Sequence, residues 1–98
     1  MILCTIKKEY ETMAIQRLES QQISYLIQEV GQRSVNLFFG KPECIDVIRL
    51  LIDRPLNQLT PEEDFILGVI LGYDIRQQCK RFCSRKTKNL YVENLKAV

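Results

Sequence analysis

Two cysteines four apart, Cys79 and Cys83, stand among lysines and arginines and carry the main chemistry that spacing in this chain suggests. Residues at that separation share one face of a helix. Read functionally, they are a paired-thiolate site: part of a metal or cluster site, or a redox dithiol. Lys80, Arg81, Arg85 and Lys86 favour thiolate, whereas the C-terminal end of a helix opposes it. Zinc and iron–sulfur clusters usually take four ligands, and the other thiols, Cys4 and Cys44, form no second pair. Read as packing, Ile75, Cys79, Phe82 and Cys83 follow i, i+4, i+7, i+8, so the cysteines extend an apolar stripe as small hydrophobes. Packing needs fewer assumptions. The direction of the sulfurs decides between the two: lining a cleft favours thiolate chemistry, and facing a sheet removes it.

The chain has no histidine, which excludes Ser-His triads, Cys-His zinc sites and histidine acid–base chemistry. Cys44 falls in the first turn of a predicted helix, where a thiol is activated, but no base accompanies it. Glu62, Glu63 and Asp64 resemble an acidic site, yet capping of a helix explains all three. Gly40-Lys41-Pro42 opens a helix and offers free N–H groups to an anion, without the glycines of a phosphate loop. Tyr73, Asp74 and Arg76 are close enough for a local polar network that specifies no reaction. Arg76, Lys80, Arg81, Arg85, Lys86 and Lys88 form a basic run with no acid between them. They read either as a solvated helix end or as a docking surface for an acidic partner, steered by charge and weakened by salt.

The elements that must position these residues follow from periodicity. Residues 2–7 and 24–30 read as strands, and 34–39 as a third that alternates Val35, Leu37, Phe39. Gly31 and Gln32 join the last two into a hairpin. Residues 9–22 have thin helical amphipathicity around Met13, Ala14 and Leu18. A second helix starts at Pro42 and ends near Asp53, with Ile45, Ile48, Leu51 and Ile52 on one stripe. Thr60, Pro61 and Glu63 make a capping box for a long helix reaching about Cys83. That helix is apolar nearly all round from Phe65 to Tyr73, so it needs shelter on more than one side, and Gly68 and Gly72 allow close approach of a backbone. Residues 89–95 are a weak strand or part of a disordered tail.

This order predicts an α+β, ferredoxin-like βαββα sandwich with a small antiparallel or mixed sheet and a long C-terminal helix. The first two strands lie parallel with the third inserted antiparallel between them, and either the tail supplies a late strand or the first strand is left as an open edge. Ninety-eight residues leave room for one core, read as a domain over 1–86 with a tail over 87–98. A net charge of +2 gives no pointer to nucleic acid. No apolar run approaches a membrane span and no signal segment opens the chain, so the expected compartment is the cytoplasm, with reduced thiols. No cofactor is expected.

Three stretches, NLFFGKPECIDVI (36–48), PLNQLTPEEDFILGVILGYDI (55–75) and QCKRFC (78–83), resemble a small bacterial family known as a domain of unknown function, number twenty-twenty-three. They cover under half of the chain, in order. The resemblance implies a bacterial cytoplasmic protein without an established activity. Members are sometimes encoded beside flavodoxin, which implies work near acidic redox carriers. Against the family pattern the chain is short at its start. Together these readings predict a non-enzymatic interaction or regulatory module, homo-oligomeric, with an acidic protein such as flavodoxin as partner. The alternative is a thiol-based redox or metal-binding module built on Cys79 and Cys83.

Overall fold

A computed structural model describes the backbone over residues 1–97 and the side chains over residues 1–88. The chain divides into two compact units, Met1–Pro55 and Leu56–Val98.

The first unit runs β1 (Ile2–Lys7), a 3-10 turn, α1 (Glu11–Ser20), β2 (Ser24–Val30), β3 (Ser34–Gly40) and α2 (Pro42–Leu51). The sheet order is β1-β3-β2, with β3 antiparallel to both neighbours. The protein is therefore mixed α+β with a three-stranded antiparallel sheet. The centre is β3, whose Val35, Leu37 and Phe38 are buried. Helix α2 starts without a side-chain cap, on Pro42. It lies against β2 and β3 and buries Ile45 and Ile48, two of its predicted stripe. Helix α1 lies against β2 and buries Leu18.

One polar residue sits in that core. Asn36 is buried, and register places it between Thr5 and Gln28 on one sheet face. The Thr5 hydroxyl donates to Asn36 Oδ1 at 2.6 Å, Asn36 Nδ2 donates to Gln28 Oε1 at 3.0 Å, and Gln28 Nε2 donates to the Arg54 carbonyl at 3.0 Å. The chain of bonds crosses all three strands and satisfies the buried amide, without which its burial would be costly.

The second unit holds a 3-10 turn (Leu56–Gln58), α3 (Pro61–Ile70) and α4 (Ile75–Ala97). The expected single helix from Thr60 to Cys83 is thus two helices. Gly72 takes a φ of +80°, its N–H bonds to the Val69 carbonyl, and the Tyr73 N–H bonds to the Gly68 carbonyl. This is the six-to-one, five-to-two closure that ends a helix on a left-handed residue. Two residues on, Asp74 accepts from the Gln77 N–H at 3.0 Å and starts α4. Gly72 serves the turn rather than close packing. Gly68 does make a close approach, since a Cβ there would run into the Gln78 side chain of α4. Nothing between Ile75 and Ala97 is Gly or Pro, and α4 continues through residues 89–95, read from sequence as a weak strand or disordered tail.

The same closure ends α1, but with Gln22 at φ +58°: its N–H bonds to Glu19 O and that of Ile23 to Leu18 O. A non-glycine residue is strained there. Gln22→Gly should therefore raise stability by up to about 1 kcal/mol. Gly72→Ala, where open space leaves only the backbone cost, should lower it by about 1–2 kcal/mol. Urea unfolding measures both, and equal signs for the two changes would contradict this reading. Asn36→Ala should cost about 1–3 kcal/mol in the same assay, and a change below about 0.5 kcal/mol would mean the polar chain contributes nothing.

Candidate functional site

The antiparallel arrangement of α3 and α4 brings the acidic start of α3 beside the basic half of α4. Glu63 completes the capping box: the Thr60 N–H donates to Glu63 Oε1 at 2.9 Å and the Glu63 N–H to Thr60 Oγ1 at 3.2 Å. Asp64 receives Arg81 as a fork, Nε to Oδ2 at 2.7 Å and Nη2 to Oδ1 at 3.2 Å. Arg85 Nη1 is 3.5 Å from the same carboxylate, and its Nη2 donates to the Leu59 carbonyl at 3.1 Å. Lys86 Nζ lies 2.5 Å from Glu62 Oε1. The hydrogen bond from Lys86, then that from its own backbone N–H, holds the Glu62 carboxyl below the usual glutamate range. Asp64 in turn strengthens the hold of the Arg81 guanidinium on its proton.

Three of the six basic residues are thus engaged by α3 or its approach. The other three, Arg76, Lys80 and Lys88, have no ion pair among the described residues and are exposed. Arg76 and Lys80 lie one turn apart and share a side of α4.

Beside this acid–base seam the hairpin opens a shallow hollow of ≈ 350 Å³, lined by Glu62, Phe65 and Ile66 of α3 and Cys79, Phe82 and Cys83 of α4. The rings of Phe65 and Phe82 meet with centroids 5.6 Å apart at 50°. Both cysteines are free thiols and exposed. They continue the stripe of Ile75 and Phe82 but stand at its open edge, rather than inside a core. The break at Gly72 also changes their setting: they occupy the fifth and ninth positions of α4, far from its C-terminal end at Ala97. Ile66, Val69, Tyr73 and Ile75 are exposed as well, at 39%, 43%, 57% and 53%, so the hairpin keeps apolar surface outside. Among the described residues no three of Cys, Asp and Glu converge on a point that would hold a metal.

The remaining candidates have other uses. Asp74 caps α4 instead of joining a network with Tyr73 and Arg76. Gly40 is pressed against Met1, where a Cβ would lie 3.0 Å from the Met1 Cα, and the N-cap of α2 is Lys41 with no side-chain bond. Cys44 is half-buried in the first turn of α2, and Cys4 is half-buried in β1 opposite Leu37. Sequence reasoning missed the seam. Its signal was Gly72-Tyr73-Asp74, a helix stop followed by a helix start, which folds Glu62 and Asp64 back towards residues 81–86.

A carboxyl held low stabilises the fold above the ordinary glutamate range, and the gain disappears as pH falls through the lowered value. Glu62→Gln should therefore reduce the melting temperature at pH 7 and low salt. The gap from the wild type should close on acidification below the ordinary glutamate range. A gap that is absent at pH 7, or that grows in acid, would contradict the role given to Lys86.

No curated protein matches the chain. The family model described as Protein of unknown function (DUF2023) matches residues 1–85. That span takes in every strand, α1 to α3 and both cysteines of the hollow, so the chain belongs to this family, whose description assigns no activity.

Proposed function

We propose that the chain is a non-enzymatic protein-interaction module of the bacterial cytoplasm that docks an acidic protein on the exposed side of α4. Flavodoxin is the candidate partner. The observation that carries this reading is the division of the basic cluster. Arg81, Arg85 and Lys86 are used within the hairpin, whereas Arg76, Lys80 and Lys88 remain without ion pairs among the described residues. Free cations beside exposed apolar side chains form the kind of surface that steers and then holds an acidic partner. No helix of the described residues is long and apolar enough to cross a membrane.

Self-association completes the proposal. The strand order supports a ferredoxin-like layout without its fourth strand, in which β1 has β3 as its one strand partner among the described residues. A second copy would pair with that edge.

Titration with purified flavodoxin tests the docking claim. Affinity should fall as ionic strength rises from about 0.02 to about 0.3 M, because exposed charges are screened over that range. Arg76→Glu with Lys80→Glu should weaken binding by at least about tenfold at low salt. Binding that is absent at low salt, or indifferent to both salt and charge reversal, would defeat the docking claim. Light scattering that finds only monomer at every concentration would defeat self-association.

A further inference from the structure

We propose that Cys79 and Cys83 form a two-thiolate site for a soft, two-coordinate monovalent cation of the Cu(I) class. The two residues are one turn apart on α4, both exposed, and both line the apolar hollow with Phe65, Ile66 and Phe82.

Spacing selects the chemistry. Cβ atoms four residues apart on a helix are about 5–6 Å apart. A disulfide needs them at roughly 3.5–4.5 Å, so direct oxidation within the pair would have to distort the helix. An ion held linearly between two sulfurs separates them by twice a metal–sulfur bond, roughly 4.5 Å taking about 2.3 Å for each. Side chains one turn apart reach that separation without moving the backbone.

Ligand number and type select the ion. Structural zinc takes four ligands, and no third Cys, Asp or Glu joins the pair among the described residues. The one carboxylate on the hollow, Glu62, is a hard oxygen ligand held by Lys86. Two thiolates with no hard donor suit a soft ion. Binding releases two thiol protons to water and leaves a complex of net charge −1. Arg76, three residues before Cys79, and Lys80, three before Cys83, lie within a turn of it and offset that charge. The Phe65 and Phe82 rings line one side of the site.

The test uses the full chain, reduced and without oxygen, with Cu(I) supplied as its complex with the chromophoric chelator bicinchoninate. The wild type should withdraw one Cu(I) per chain. X-ray absorption should show two sulfur neighbours, and excess Zn(II) should not displace the ion. Cys79→Ser and Cys83→Ser should each weaken capture by more than about 100-fold, beyond what loss of a second-shell contact costs. Cys4→Ser with Cys44→Ser should leave capture unchanged. Both hollow cysteines are exposed, so their serine variants should keep the wild-type far-ultraviolet circular dichroism, and alanine at both positions should give the same loss. Failure to capture Cu(I), capture that survives Cys79→Ser with Cys83→Ser, or a third sulfur neighbour would each overturn the proposal.

Discussion

The second unit depends on one backbone reversal, the left-handed Gly72 followed by the Asp74 cap. A helix that ran on from Pro61 through Cys83 would carry its acids and its bases some 30 Å apart, at about 1.5 Å per residue. The reversal converts that distance into contact. It places Asp64 under Arg81 and Arg85, and Glu62 under Lys86. It also places two exposed thiols beside Phe65 and Ile66 rather than at the end of a rod. Gly68 leaves room for the Gln78 side chain, which would have to shift if a Cβ stood there. Seam, hollow and free cations are therefore consequences of a single turn.

Packing and charge play different parts in the hairpin. The Arg81–Asp64 fork has good geometry, but Arg81 is 57% exposed, and pairs that open to water contribute about 1 kcal/mol at most. Such a contact sets register and orientation more than it sets stability. The tilted Phe65 and Phe82 rings supply an apolar contact between α3 and α4. In the first unit the order is reversed: Val35, Phe38, Ile45 and Ile48 are fully buried, and the polar chain through Asn36 specifies how the three strands align. A one-residue slip would turn Asn36 away from Thr5 and Gln28.

Much of the first unit was legible because its signals are local. Strand-forming residues mark β3, although it is buried on both faces from Val35 to Phe38 instead of alternating and Phe39 is only half-buried; Gly31 marks the hairpin, and Pro42 marks the start of α2. Asn36 was not recognised as a buried amide, because its partners are set by strand register, which no single strand reveals. In the second unit, the capping box at Thr60 was readable and is present in full. The stop at Gly72 was overlooked because the apolar pattern runs from Phe65 through Leu71 and resumes at Ile75, Cys79 and Phe82, which imitates one continuous stripe. On one straight helix the acids have only capping to explain them and the six cations are alike. The fold divides them into three that grip α3 or its approach and three that do not.

The pairing of α3 with α4 depends on the reversal at Gly72. Backbone chemical shifts across residues 61–86, with nuclear Overhauser effects between amides and between aromatic rings, measure it directly. Two helical stretches should appear, interrupted at residues 71–74, with Gly72 in the left-handed region and cross-peaks linking the Phe65 and Phe82 rings. One unbroken helical stretch through residues 70–76, with no contact between those rings, would contradict it.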